Sequence, residues 1–236
     1  MTYNIRHGAP IHKPDDDIQL EQLAKVIKSE NPDIVALQEV DSVTKRAPLD
    51  EARELGELTG MHYAYFKAID YQGGKYGVGI LSRYPILKKQ QQQLALPDPS
   101  GEPRTVGVIT IEPVKGVKIN FATTHLDLKK ENRLAQIKQL ITLSEDSPHP
   151  LLVAGDFNAQ PNSEEIKALK KEFTFTCTND CPLTFPSDTP RITLDYVILN
   201  PEAAKLIQPV GYKAIENIPA SDHLPFVAGL RLKKTD

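Results

Sequence analysis

The chain has 236 residues, of which 25% are charged and 40% hydrophobic, proportions that are typical of a globular protein and exclude global disorder. Its 28 basic and 31 acidic side chains give a formal net charge of -3. This balance argues against a general polyanion binder, which normally carries a clear basic excess, although a local basic rim around an acidic pocket is compatible with it.

Hydrophobic periodicity predicts alternating helices and strands. Three aspartates at 15–17 precede apolar residues at helical spacing, so a helix is expected there, ending at Asn31. The other predicted helices cover 49–59, the region around 134–141, and a short segment that begins with a capping-box pattern at Asn162 and Glu165. Predicted strands cover residues 1–5, 34–37, 62–66, 77–82, 105–112, 117–123, 151–154, 192–199 and 224–232. Since no linker separates these elements, they favour one α/β domain over residues 1–236.

Two features of the chain bear on its location. No apolar run approaches the roughly 20 residues of a transmembrane helix, and no leader with a basic start and an apolar centre is present. Because residues 1–5 already resemble a strand, we expect that an upstream segment such as an export signal is missing. A secreted or periplasmic protein is therefore favoured slightly over a cytoplasmic one.

The chain contains two cysteines, Cys177 and Cys181. Their number excludes a disulfide framework and a four-cysteine zinc site. One local disulfide and two free thiols are both compatible with the sequence, and neither bears on function.

Polar side chains that can bind a metal or transfer a proton follow the predicted strands or interrupt them. Any one of them could be structural: Glu39 could cap a helix, and the Gly-Asp-Phe-Asn sequence at 155–158 resembles a common turn. Asp195 inside an apolar strand is harder to explain, because a buried carboxylate is costly unless it is paired or bound to a cation. Since strand ends meet at one rim in α/β folds, we expect a shared cleft formed by Asn4, Glu39, His125, Asp156, Asn158, Asp195, Asp222 and His223.

Four carboxylates would lie in this cleft, those of Glu39, Asp156, Asp195 and Asp222. Two unit charges about 4 Å apart repel by several kcal/mol at an effective dielectric near 20, so the four would not all stay ionised without a counter-ion. Oxygen ligands with few nitrogens and no cysteine select a hard cation, Mg²⁺ or Mn²⁺, rather than zinc. Magnesium held by one or two carboxylates points to chemistry on a phosphate group.

Six short motifs follow one another along the chain: Thr-Tyr-Asn-Ile at 2–5, Leu-Gln-Glu-Val at 37–40, Thr-His-Leu-Asp at 124–127, Gly-Asp-Phe-Asn at 155–158, Leu-Asp-Tyr-Val at 194–197 and Ser-Asp-His at 221–223. In this order they resemble the endonuclease/exonuclease/phosphatase superfamily, and the opening at residues 2–8 resembles its compact bacterial members. Deoxyribonuclease I, exonuclease III, neutral sphingomyelinases and inositol polyphosphate 5-phosphatases belong to that superfamily. The resemblance implies a four-layered α/β sandwich, in which two packed mixed β-sheets are flanked by helices.

The resemblance also implies roles for the metal side of the cleft and for one histidine. Glu39 resembles the main metal ligand, with Asn4 and Asp222 beside it, and the metal would be Mg²⁺ or Mn²⁺. His223 would contact the scissile phosphate or act as general base, with Asp195 orienting its ring.

The remaining matched residues concern the attacking water and a second histidine. Asp156 and Asn158 resemble the pair that positions the water and holds a phosphate oxygen, so Asp156 and His223 are both candidates for the general base. His125 matches the histidine of the deoxyribonuclease I and sphingomyelinase branches. In deoxyribonuclease I that histidine pairs with an upstream acid, for which Glu102 and Glu112 are the candidates here.

The resemblance predicts a metal-dependent phosphoesterase that hydrolyses a phosphodiester or phosphomonoester by in-line attack of an activated water. Arg6 and Arg191 lie nearest to the motifs and are expected to contact the substrate. We expect a monomer whose substrate is a small or lipid-linked phosphate ester. The alternative is a nuclease acting on DNA or RNA, which the net charge of -3 makes less favourable. A catalytically silent binding module is less favoured, because every matched position carries a competent residue.

Overall fold

The computed structural model describes residues 1–233, so residues 234–236 of the expected domain lie outside it. In chain order its strands are β1 (Thr2–Asn4), β2 (Ile34–Ser42), β3 (His62–Tyr71), β4 (Gly74–Ser82), β5 (Lys88–Gln93), β6 (Thr105–Val114), β7 (Val117–His125), β8 (Leu151–Asp156), β9 (Thr174–Phe175), β10 (Asp195–Leu199), β11 (Ile207–Ala214) and β12 (Phe226–Leu232). The helices are α1 (Leu20–Glu30), α2 (Glu51–Thr59), α3 (Lys130–Glu145), α4 (Glu164–Glu172) and α5 (Pro201–Leu206).

The strands form two mixed six-stranded sheets. The first sheet has the order β11-β12-β1-β2-β4-β3, and the second has the order β5-β6-β7-β8-β10-β9. Each contains one parallel pair, β1 with β2 and β7 with β8. Strands β1 and β2 of the first sheet contact β7 and β8 of the second, so the sheets pack face to face. With α1 and α2 covering the first sheet and α3 and α4 the second, the predicted four-layered α/β sandwich is confirmed.

The apolar run at 34–37 is buried on both faces of β2. Val35 and Leu37 belong to the core that includes Leu23 and Ile27 of α1, whereas Ala36 belongs to the core between the sheets. Successive side chains of a strand point to opposite faces. A strand that is covered by a helix on one side and a sheet on the other therefore needs an unbroken apolar sequence.

Two of the predicted helix boundaries are confirmed, and one capping residue is wrong. Asn31 ends α1 in a left-handed conformation with φ of 47°, and Gly60 ends α2 in the same way with φ of 70°. The cap of α4 is Ser163, not Asn162. Ser163 has an extended backbone, and its side chain accepts a hydrogen bond from the Ile166 N–H at 3.2 Å.

Four of these strands and helices were not predicted, β5, β9, α5 and β11. Strand β5 contains the Gln90–Gln93 run and is exposed throughout, so it has no hydrophobic alternation to reveal it. Gln91 donates to the Lys67 carbonyl at 2.5 Å, and Gln93 donates to the Ala68 carbonyl at 3.4 Å. These bonds join the edge of the second sheet to the edge of the first, which explains the use of glutamines in this strand.

Two predicted strands begin later than expected. The segment at 192–199 becomes a strand at Asp195, because Ile192 pairs instead with Phe185 in an isolated bridge. The last strand begins at Phe226, since the Leu224 N–H donates to the Thr184 carbonyl in the preceding loop. Both loops border the cleft described below.

Cys177 and Cys181 form a disulfide, which decides between the two states that the sequence allowed. The bond closes a short loop just before the segment that carries Phe185 and Ile192. Among the helices of residues 1–233, none has both the length and the apolar character to cross a membrane.

Candidate active site

The strand registers bring the predicted residues to one edge of the packed sheets. His125 and Asp195 are both Cα partners of Asp156, because β7 and β10 flank β8 in the second sheet. Asn4 ends β1 of the first sheet and hydrogen-bonds Asp156 across the space between the sheets. A cleft of about 580 Å³ opens at this edge, and the predicted residues on its surface are Glu39, His125, Asp156, Asn158, Asp222 and His223.

Glu39 lies at a β-bulge in β2. The pairing of β2 with β4 shifts between Leu37 and Val40, and Glu39 has a left-handed backbone with φ of 55°. A bulge re-aims a side chain, and here it places the Glu39 carboxylate on the cleft surface. Asn4 Nδ2 donates to Glu39 Oε1 at 3.0 Å and to Asp156 Oδ2 at 3.1 Å. Burial raises the pKa of Glu39, and the Asn4 hydrogen bond opposes that shift.

His223 lies between two carboxylates. Its Nδ1 donates to Asp195 Oδ2 at 3.0 Å, and its Nε2 lies 3.6 Å from Asp156 Oδ2. Burial lowers the pKa of His223, but the Asp195 and Asp156 charges outweigh this and raise it to about 10. The ring is therefore a cation at neutral pH with a hydrogen on each nitrogen. Asp195 is fully buried and lies behind His223, so it reaches the cleft only through this ring.

Asp156 accepts hydrogen bonds on both carboxylate oxygens. Oδ1 accepts from the backbone N–H of Asn158 at 2.9 Å, and Oδ2 accepts from Asn4 Nδ2. Burial raises the pKa of Asp156, the Asp195 charge raises it further, and the His223 cation opposes the rise without cancelling it. A raised carboxylate pKa favours uptake of a proton, which a general base requires.

Asn158 and Asp222 are held at the cleft by hydrogen bonds of their loops. Asn158 has a left-handed backbone with φ of 47°, and its Nδ2 donates to the Leu126 carbonyl at 2.9 Å. Ser221 Oγ donates to the Asn4 carbonyl at 2.8 Å, which anchors the Ser-Asp-His segment to β1. The half-buried Asp222 carboxylate lines the cleft, and within residues 1–233 no lysine or arginine forms an ion pair with it.

His125 faces an arginine on one ring nitrogen and a carboxylate on the other. Arg104 Nη1 donates to His125 Nδ1 at 3.1 Å, and His125 Nε2 lies 3.5 Å from Asp156 Oδ2. Burial, followed by the charges of Arg104 and His223, holds the pKa of His125 well below its usual value. His125 is therefore neutral where His223 is cationic.

Neither acid considered as the partner of His125 contacts it. Glu102 pairs with Arg104 instead, with Oε1 2.8 Å from the same Nη1. Glu112 lies toward the other end of β6, where its carboxylate accepts from the Gly116 N–H at 2.7 Å. The contact with Arg104 was not predicted, because it depends on how β6 and β7 align and no local sequence feature encodes that register.

Arg6 and Arg191, the predicted substrate contacts, do not line the cleft. The Arg6 guanidinium donates to the Pro10 carbonyl at 2.8 Å and to Asp15 Oδ1 at 2.7 Å, so it holds the loop that follows β1. Arg191 is exposed, and only its neighbour Ile192 lies on the cleft surface. The arginines that do line the cleft are Arg104 and Arg133.

Sequence reasoning also missed His7 and Phe185. His7 is buried, and its Nδ1 lies 3.9 Å from Glu39 Oε2. Its position three residues after Asn4 in the first motif was the available signal. The Phe185 ring lies 4.8 Å from the ring of His223 and forms part of the cleft wall. No sequence signal marks Phe185, since the loop that carries it is irregular.

The donor set fits a hard divalent cation. Glu39 and Asp222 offer carboxylate oxygens at the cleft surface, and burial makes the ionised form of Glu39 costly unless a positive charge is near. One donor atom each from Asp156, Asp195 and His223 also lie within 4.8 Å of one another. In that group, however, the His223 Nδ1–H is already committed to Asp195.

Residues 1–223 match the sequence profile described as the Endonuclease/Exonuclease/phosphatase family. The chain belongs to this family. Members of the family are hydrolases that act on phosphate esters, and they generally use divalent metals.

Similar proteins extend over nearly the whole chain. The uncharacterized protein YbhP of Escherichia coli (strain K12) is 27% identical over 246 residues, which cover 98% of this chain and 95% of YbhP. A functionally unknown conserved protein from Enterococcus faecalis V583 has a TM-score of 0.80 at 20% identity, with 98% of each chain covered. The mannosyl-6-phosphatase Bt3783 of Bacteroides thetaiotaomicron VPI-5482 has a TM-score of 0.77 at 16% identity, with 98% of each chain covered. The likeness to these two structures shows a shared fold.

Proposed function

We propose that this protein is a phosphoesterase that depends on Mg²⁺ or Mn²⁺ and hydrolyses a phosphodiester or phosphomonoester by in-line attack of water. The main support for this proposal is the position of the Asn4 side chain. Asn4 donates to both Glu39 and Asp156, and so joins the carboxylate proposed to hold the metal to the carboxylate proposed to activate water. Two carboxylates this close to one amide group, in a buried site, are stabilised by a divalent cation.

Glu39 and Asp222, with Asn4 behind them, would hold the cation. When bound, it would supply Lewis-acid stabilisation of the charge that develops on the phosphate. The Asn4 amide keeps the Glu39 carboxylate in place through the 3.0 Å hydrogen bond. The bulge in β2 directs that carboxylate into the cleft.

Asp156 is the proposed general base. His223 has a carboxylate on each side and is doubly protonated, so it has no free lone pair with which to accept a proton. Asp156 keeps a carboxylate that Asn158 and Asn4 orient through one hydrogen bond on each oxygen. His223 would instead stabilise the negative charge of the phosphate in the transition state, with Asp195 orienting its ring.

The surface of the cleft favours a small or lipid-linked phosphate ester. Both arginines that line it are neutralised, Arg104 by Glu102 at 2.8 Å and Arg133 by Glu165 at 2.8 Å. No unpaired basic track is therefore available in the described part of the cleft for a polyanion. The wall includes apolar side chains that suit an uncharged leaving group, namely Leu128, Phe185, Ile192 and Leu194.

The disulfide supports a secreted or periplasmic location. Disulfides persist in oxidising compartments and are rare where thiols are kept reduced, and Cys177 and Cys181 are joined.

We also propose that the chain acts as one domain over residues 1–236 and as a monomer. The face-to-face packing of the two sheets through one shared core supports the single domain. Size-exclusion chromatography with light scattering tests the oligomeric state, and cell fractionation tests the location.

A substrate panel tests the function. Bis-nitrophenyl phosphate, nitrophenyl phosphate, plasmid DNA and sphingomyelin would each be assayed with Mg²⁺, Mn²⁺ or a chelator. We expect the wild-type protein to hydrolyse at least one substrate that is not a nucleic acid. Chelator and the Asp156→Asn substitution should each abolish this hydrolysis. Glu57→Gln, a control on the exposed face of α2, should not. Nicking of plasmid that falls steeply with salt would instead indicate a nuclease. Silence across the panel, with no metal bound by calorimetry, would indicate a binding module.

A further inference from the structure

Arg104 and His125 form a buried pair in the wall of the cleft. Their side chains are 7% and 6% exposed, and Arg104 Nη1 donates to His125 Nδ1 at 3.1 Å. Arg104 directly precedes β6 and His125 ends β7, and these antiparallel strands pair Val106 with Thr124. The sheet register therefore brings the two residues together.

The direction of this hydrogen bond determines where the hydrogen of the His125 ring lies. A guanidinium has only donors and stays protonated in proteins. The Nδ1 of His125 therefore accepts, and the hydrogen of the neutral ring is on Nε2. Glu102 Oε1 lies 2.8 Å from the same Arg104 nitrogen, but among the described residues no N–H points at that oxygen. The N–H of Arg104 is thus directed at the histidine.

We propose that Arg104 is a positioning residue that holds His125 as the neutral Nε2–H tautomer. The Nε2–H faces the cleft beside Asp156 Oδ2, 3.5 Å away, as a fixed hydrogen-bond donor. Arg104 and the His223 cation place positive charge near the ring, and the Asp156 carboxylate places negative charge near it. A carboxylate at Nδ1, expected from the resemblance to deoxyribonuclease I, would have the opposite effect, because it favours the imidazolium.

The proposed tautomer excludes His125 as the acid that protonates the leaving group. A ring whose Nδ1 lone pair is used by Arg104 gains no second proton, so its Nε2–H can donate a hydrogen bond to a phosphate oxygen without transferring the hydrogen. The hydrogen bond from Nε2–H to a phosphate oxygen rests on the proposed function. The tautomer itself does not, and it can be measured in the absence of any substrate.

Nitrogen-15 NMR of the full-length protein tests the proposal directly. In protein with ¹⁵N-labelled histidine, the signals that disappear in His125→Gln belong to His125. We expect one protonated nitrogen, Nε2, and one unprotonated nitrogen, Nδ1, with no change between pH 6 and pH 8. A His125 that carries its hydrogen on Nδ1, or that titrates in this range in the wild type, overturns the proposal.

Variants of Arg104 separate positioning from packing. Arg104→Met should replace the single tautomer by a mixture or by a titrating ring, whereas Arg104→Lys, still a donor without an acceptor, should restore the Nε2–H form. Arg133→Met is the matched control, because Arg133 also lines the cleft but donates to Glu165 and to backbone carbonyls, and it should leave the His125 signals unchanged. Unchanged His125 signals in a folded Arg104→Met protein would contradict the proposal, and the wild-type spectrum decides it if that variant does not fold.

Discussion

Asn4 and Asp156 are 152 positions apart in sequence, yet Asn4 Nδ2 lies 3.1 Å from Asp156 Oδ2. The bond links the end of β1 in the first sheet to the end of β8 in the second. Because each residue lies at a strand end of a different sheet, the proposed site exists only when the two sheets are packed together. Activity and the packing of the sheets are therefore expected to be lost together on unfolding.

Asp156 should be required for catalysis. Replacing it with alanine removes the proposed base, and general acid–base and electrostatic groups each contribute about 100-fold or more in rate. We expect Asp156→Ala to lose at least that factor in kcat with the best substrate of the panel. The exposed-site variant Glu57→Gln should keep wild-type kcat. Unchanged hydrolysis of every substrate by a folded Asp156→Ala protein would discard the assignment.

Glu39 should determine metal affinity. Glu39→Gln keeps the size of the side chain but removes the carboxylate charge that hard divalent cations prefer. Titration of Mn²⁺ in a calorimeter should show at least about a tenfold weaker affinity for this variant. Glu102→Gln is the matched control, since Glu102 also lines the cleft but is paired with Arg104. Equal losses in both variants would argue against Glu39 as the metal ligand.

Metal-free stability should fall as the pH rises above neutrality. The pKa of His223 is raised from 6.5 to about 10 in the folded protein, so the folded state holds this proton more tightly than the unfolded state. The resulting stabilisation is complete below pH 6.5 and is lost as the pH approaches 10. Urea unfolding in chelator between pH 7 and 10 should show a steeper decrease for wild type than for His223→Gln. Parallel pH dependence in the two proteins would contradict the ionised His223–Asp195 pair.

The close packing of the two sheets can be tested at Gly107. A Cβ at this position of β6 would lie 2.1 Å from the ring of Phe66 on β3, whereas one at Gly211 of β11 would meet no atom within 4 Å. Overpacking of this kind costs ~1–3 kcal/mol. Thermal or urea unfolding should therefore show a loss of this size for Gly107→Ala and a smaller change for Gly211→Ala. A fully stable Gly107→Ala protein would mean that the sheets are less tightly packed at this point.

The family, the layered fold and six polar residues of the cleft could be predicted from the sequence, because the motifs combine distinctive side chains with strand ends. Elements without a hydrophobic pattern were not predicted, as the glutamine-rich β5 illustrates. Contacts that depend on the register of paired strands were not predicted either, and the Arg104–His125 pair is one of them. Arg6 was predicted at the cleft because it is near a motif in sequence. Its guanidinium instead donates hydrogen bonds to a nearby backbone carbonyl and to Asp15. Proximity in sequence says little about where a long side chain finds its partners.

Anomalous diffraction from crystals soaked in Mn²⁺ tests the proposed metal site most directly. We expect a peak beside the carboxylate of Glu39, with Asp222 on the same ion directly or through water. Crystals that diffract well but show no peak there, or a peak only at a distant surface carboxylate, would contradict the metal-dependent mechanism.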